Sequence, residues 1–216
     1  MLEPVLMSDP RVAGLPARES SEQLVDLEAT GIMRFSDRKR EANPKIALIR
    51  EGVARRLADA ASSLPPGLSL LGVEAFRPPA LQLLYYRTYR DRLASSHPGL
   101  GEQELDALTS RFVSPPATAP HPSGAAIDVT LCAADGHELD LGCPVDATPE
   151  ESDGACYTDA VHLSAEAIAN RRLLASALSS VGLVNYPTEW WHWSFGDRYW
   201  AMATGTSAAL YPSVTA

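Results

Sequence analysis

Cysteine is scarce in this chain of 216 residues. Cys132, Cys143 and Cys156 make an odd number, with no Cys-x-x-Cys spacing among them. Such usage excludes a disulfide framework and fits free thiols in a reducing compartment. A Cys143–Cys156 disulfide is the lesser alternative. Long apolar runs are also missing, and none approaches the ~20 residues needed to cross a bilayer. The N-terminal stretch Met1 to Pro10 is acidic and interrupted by prolines. It lacks the basic start and unbroken apolar segment of a secretory signal. These absences point to a cytoplasmic protein without a membrane partner. Clustered positive charge is missing too: 18 Lys and Arg stand against 27 Asp and Glu, a net charge of −9. Phosphate binding needs clustered cations, so nucleic acid is excluded as a partner. The one short basic run, Arg38-Lys39-Arg40, reads as solvated surface. No internal repeat or low-complexity tract occurs.

What is present suits a globular protein. Hydrophobic residues make up 45% and charged residues 21%, ordinary values for a soluble domain. The length suits one domain with one sizeable core. Residues 1–42 show no clear period and are expected to form an irregular N-terminal arm packed on a catalytic domain of residues 43–216. Asn43-Pro44 has the chemistry of a helix start. Ile46, Ile49, Val53, Leu57 and Ala60 follow at helical spacing. Leu68 to Phe76 reads as a strand that leaves Arg77 at its end, since Pro78-Pro79 cannot continue a ladder. Helices are expected over about 79–95 and 102–112. Residues 125–131 alternate, with Asp128 and Thr130 on a polar face of a half-buried strand. Residues 133–159 form a long polar loop. Ser164 caps a helix over 165–180, and two strands close the domain near 183–186 and 190–195. The fold class is α+β, with neighbouring strands mostly antiparallel.

The chemistry concentrates in two stretches. Glu189 and His192 lie three apart within the aromatic run Trp190-Trp191-His192-Trp193, where a carboxylate is costly unless it is paired or near a metal. His121 and Asp128 lie upstream. Two imidazoles and a carboxylate make a three-ligand zinc site with an open fourth position, the composition of catalytic zinc. On flat strands the parity is wrong for both pairs. A bend is therefore expected after Pro187 and another at Gly124. With His121, Asp128 and His192 as ligands, Glu189 is left as the base for a zinc-activated water. Arg77 is placed to hold the developing oxyanion. His97, His137 and His162 read as ordinary histidines. The tryptophans read as core and pocket wall, and Asp197 as a helix cap.

Glu74-Ala75-Phe76-Arg77-Pro78, His121 through Leu131, and Asn170 through His192 together resemble the D-alanyl-D-alanine dipeptidases of the vancomycin-resistance type, within the zinc D,D-peptidases. The resemblance spans roughly residues 70–200. It implies the zinc D,D-peptidase (hedgehog/DD-peptidase) fold, a small and mostly antiparallel central sheet flanked by helices. It implies one Zn2+ per chain on His121, Asp128 and His192, Glu189 as catalytic base, and Arg77 at the transition state. It also implies that Asp146 grips the free ammonium of a small dipeptide, by default D-Ala-D-Ala from the cell wall. Asp140, Asp153 and Asp159 are rival anions in the same loop. Ser123 and Trp191 are further substrate-binding candidates, and a homodimer is a reasonable assembly. Two departures bear on the substrate: Ala119 stands where the family usually has serine, and the arm lacks the family's Tyr and Asn-Phe pattern. A zinc carboxypeptidase acting on peptidoglycan stems therefore stays open. So do a family member recruited to a biosynthetic pathway and a metal-retaining protein without turnover.

Overall fold

A computed structural model describes residues 4–214; the first three residues of the arm lie outside the described residues. The arm is less irregular than its composition suggests. It holds one helical turn, α1 (Pro10–Ala13), and two short strands, β1 (Leu24–Asp26) and β2 (Arg34–Phe35). Asp9 caps α1 through its side chain, and Pro10 takes the first helical position, where a missing N–H is not needed.

The helix expected at Asn43 begins later. Leu48–Arg50 form β3, which pairs antiparallel with β1, and α2 runs Glu51–Ser62. Ile46 and Ile49 are buried as expected, but from outside the helix. Asn43 does not cap it. Its amide donates to Glu74 Oε1 at 3.1 Å and to the Phe76 carbonyl at 2.7 Å. A side chain satisfied 31 and 33 residues away has no reason to start a helix locally.

After β4 (Leu68–Glu74) come α3 (Pro79–Ser96) and α4 (Glu102–Thr109). These two form a hairpin with its own small core of Tyr89, Leu93, Leu105 and Val113. Then follow β5 (Ala126–Ala133), α5 (Ala165–Ser180), β6 (Val184–Asn185), β7 (His192–Ser194) and α6 (Arg198–Thr204). Ser164 caps α5 and Asp197 caps α6 through their side chains, as expected. The main sheet has the order β2-β4-β5-β7-β6, with only the β2–β4 pair parallel. The fold is mixed α+β. β5 is central and buried almost throughout, not half-buried. Its polar face is buried too, with Asp128 2% and Thr130 1% exposed. Cys132, Cys143 and Cys156 are free thiols. Among the described residues no helix is long and apolar enough to cross a membrane.

Candidate active site

The sheet register brings the distant residues together. Asp128 on β5 pairs directly with His192 on β7, so their side chains leave one face as cross-strand neighbours. His121 opens a short 3-10 turn, His121–Ser123, which Gly124 ends in the left-handed conformation with φ 69°. That is the bend expected between His121 and Asp128, and glycine adopts it without steric cost. The second bend follows Pro187. Glu189 N–H donates to the Tyr186 carbonyl at 2.9 Å, and His192 N–H to the Glu189 carbonyl at 3.1 Å. Glu189 thus lies on a turn and His192 on a strand, which resolves the parity problem.

His121, Asp128 and His192 each present one ligand atom, and the three atoms lie within 4.8 Å of one another. His121 Nε2 is 3.2 Å from His192 Nδ1 and 3.4 Å from Asp128 Oδ1, which is itself 3.0 Å from His192 Nδ1. The donor chemistry fits a divalent cation. His121 Nδ1 lies 2.6 Å from the Ala75 carbonyl oxygen. A carbonyl only accepts, so the ring proton is on Nδ1 and Nε2 turns a lone pair inward. That lone pair faces a carboxylate oxygen, an arrangement a cation relieves. Among the described residues His192 Nε2 is buried without a hydrogen-bond partner, so the polar side-chain contacts of His192 run through Nδ1, the nitrogen that faces this cluster.

Electrostatics separate the two carboxylates. Burial pushes the Asp128 carboxyl up, but His121 and His192 more than offset it and hold it well below the usual range. Burial, then the charges of Asp128 and Asp146, push Glu189 well above that range. Glu189 Oε2 stands 3.8 Å from His192 Nδ1. Environments that pull two titratable groups apart in this way mark acid–base sites.

Arg77 lies just beyond β4 and is 9% exposed. Its guanidinium grips Glu74 bidentately, at 3.1 Å from Nε and 2.7 Å from Nη2, and Nη1 donates to Gln82 at 2.9 Å. Glu74 is fully buried. A second cation reaches it: Lys39 Nζ donates to Glu74 Oε2 at 2.9 Å and to Asp146 Oδ1 at 2.7 Å. Burial pushes Glu74 up, yet Arg77 and Lys39 hold its carboxyl far below the ordinary glutamate range. Lys39, Arg77, Gln82 and Asp146 border a cavity of about 490 Å3 together with His121, Asp128, Glu189 and His192, while Glu74 lies behind it. Trp191 lines the same space, as do Leu84, Tyr85, Thr88, Arg92 and Phe112.

Residues 31–207 match the peptidase M15 family, described as D-Ala-D-Ala dipeptidase. The chain belongs to that family. It is 30% identical to a D-alanyl-D-alanine dipeptidase of Synechocystis sp., over 71% of each chain. It is therefore an enzyme of the peptidase class.

In this M15 peptidase several expectations need correction. Ser123 does not line the cavity that holds His121. Its hydroxyl donates to the Pro120 carbonyl at 2.6 Å, inside the 3-10 turn, and with Ala119 it borders a separate, smaller pocket. The turn that aims His121 inward consumes the serine. Lys39 is not solvated surface, since its side chain is 15% exposed and bridges two carboxylates. Asp140 accepts from the Gly142 N–H and the Ser164 hydroxyl near the start of α5. Of the loop aspartates, Asp146 is the one that borders the cavity. Sequence reasoning missed Lys39, Glu74, Asn43 and Gln82. A charged Glu74 closing an apolar strand was the available signal, because a buried carboxylate demands a cation. Nothing local marked Lys39.

Proposed function

We propose that this M15 peptidase hydrolyses the peptide bond of a small D-amino-acid dipeptide, with D-Ala-D-Ala as the default substrate and zinc as the metal. One observation carries the reading: three donor atoms from His121, Asp128 and His192 lie within 4.8 Å of one another, with the Glu189 carboxylate beside them. Zinc bound there supplies Lewis-acid polarisation and lowers the pKa of water toward about 7.

The chain's own residues supply the rest. Glu189, raised in pKa by burial and neighbouring anions, accepts the proton of the attacking water and returns it to the leaving amine. Arg77 has five N–H donors, and three of them are committed to Glu74 and Gln82. The two that remain hold the developing oxyanion, and the bidentate grip of Glu74 keeps the guanidinium plane fixed for that task. Trp191 serves as an apolar wall. The zinc D,D-peptidase fold of the family, a cytoplasmic location consistent with three free thiols, and a homodimer complete the reading.

A second reading has a specific observation in its favour. Asp146, the expected ammonium clamp, is already paired with Lys39. A carboxypeptidase acting on acylated stems needs no such clamp. The deciding experiment couples metal analysis to hydrolysis of D,D-, L,D- and L,L-dipeptides and of N-acetyl-D-Ala-D-Ala. Zinc with D,D-dipeptide turnover upholds the first reading. Zinc with turnover of the acetylated peptide alone upholds the second. Bound zinc with no cleavage of any peptide defeats both.

A further inference from the structure

Among the described residues three carboxylates border the cavity: Asp128, Asp146 and Glu189. Asp128 belongs to the donor set and Glu189 is the proposed base. Only Asp146 is left to hold a substrate's ammonium, and it is not free. Lys39 Nζ sits between Asp146 Oδ1 at 2.7 Å and Glu74 Oε2 at 2.9 Å. The ammonium is fixed from both sides, because Glu74 has no exposure and is itself held by Arg77. Asp146 carries a positive φ of 69°, a left-handed backbone that a non-glycine residue seldom adopts. Backbone and partner together aim this carboxylate at Lys39. In a partly desolvated wall such a pair interacts more strongly than on an open surface.

We infer that Lys39 is a specificity-determining residue: it occupies the ammonium position opposite Asp146 and so weakens the hold on peptides with a free amino end relative to peptides whose amino end is acylated. The inference rests on the peptidase reading above. A free dipeptide brings a second cation to a carboxylate that is already compensated. It must displace Lys39 or sit beside it against like-charge repulsion. An acylated amino end brings no charge and meets neither obstacle. Asp146 already has a cation without substrate, since Lys39 bridges it to Glu74, which Arg77 holds from the other side.

The test compares D-Ala-D-Ala with N-acetyl-D-Ala-D-Ala on the zinc-loaded enzyme. Lys39→Met should raise the ratio of kcat/KM, free over acetylated, by at least about tenfold, the scale of one charge-assisted hydrogen bond. Most of the change should come from a lower KM for the free dipeptide. Lys39→Arg keeps the charge and should keep the parent's ratio. Lys39→Gln offers amide donors to both carboxylates and should shift the ratio the same way as methionine, even if the methionine variant fails to fold. Calorimetric binding of both peptides to Glu189→Ala, with and without the Lys39 change, gives the same comparison without turnover. A Lys39 that only supports the fold would depress both substrates together, and an unchanged ratio overturns the inference. An equal shift in Lys39→Arg overturns it too, as does a parent that cleaves the free dipeptide alone. If the zinc-loaded parent cleaves neither peptide, the peptidase reading beneath it falls first.

Discussion

The two walls of the cavity are built by different rules. One is sheet-derived: His121 on its turn, Asp128 on β5, His192 on β7 and Arg77 just past β4. Each of these is 9% exposed or less, and the Asp128–His192 pair is set by ladder register. The other wall is made by α3 and by Phe112, Val113 and Ser114, which follow α4. Leu84 there is 58% exposed, and the hairpin rests on a separate small core. Backbone register and burial fix the first wall to the tolerance that chemistry needs. The second is mixed: Gln82, Tyr89 and Val113 are buried, while exposed side chains such as Leu84 can change or move at small cost. On the reading proposed above, bond breaking falls to the over-determined wall, the amino end of the substrate to Lys39 and Asp146, and the helical wall shapes the rest of the cavity.

Breaking the sheet wall should have the largest effect. His192→Ala removes one of three donors, and a chelator removes the proposed metal itself. Both should abolish turnover. Metal analysis should find zinc lost from the variant, and added zinc should restore the chelated parent but not the variant. Next comes Glu189→Ala, which leaves the donor set whole. It should keep its zinc and lose about 10²–10⁴-fold in kcat, the range of a general base. Equal rates for variant and parent would remove Glu189 from the mechanism.

The same contrast explains what could be read from the sequence. His121, Asp128, Glu189 and His192 stood out because polar, metal-ligating types in strongly apolar stretches are expensive without a purpose. Proline and glycine between them marked the needed bends. Helices α3 and α5 and strand β4 followed from period and punctuation, each within two residues of its observed ends. What failed was decided at long range. Asn43 looked like a cap, but its amide is satisfied by Glu74 and the Phe76 carbonyl. Lys39 sat between two arginines and looked solvated, while its partners lie 35 and 107 residues further on. Ser123 is two residues from a candidate ligand, yet sequence proximity did not set its direction. β5 was expected to be half-buried because alternation reports a polar face, not what covers it.

The buried network behind the sheet wall gives an intermediate test. Glu74→Ala leaves Arg77 and Lys39 with their shared carboxylate gone. Removing one partner of a buried charge cluster costs about 3–5 kcal/mol, far more than the intact cluster contributes. Chemical denaturation should show a loss of that size, with turnover falling as Arg77 loses its bidentate anchor. Glu74→Gln retains an acceptor for Arg77 and should cost less. A loss within 0.5 kcal/mol, the usual range of a surface change, would mean that water already screens the network.

The smallest effect should come from the helical wall. Leu84 borders the cavity yet is more than half exposed, so truncation opens no core cavity. Leu84→Ala should leave stability within about 0.5 kcal/mol of the parent. If a bound peptide covers this side chain, partial burial contributes on the order of 1 kcal/mol. KM should then rise roughly two- to tenfold with kcat unchanged, because the contact is made equally in the ground and transition states. Thermal unfolding and steady-state kinetics on one preparation measure both. A fall in kcat matching the fall in kcat/KM would instead place Leu84 with the wall that does chemistry, and the division between the two walls would have to be redrawn.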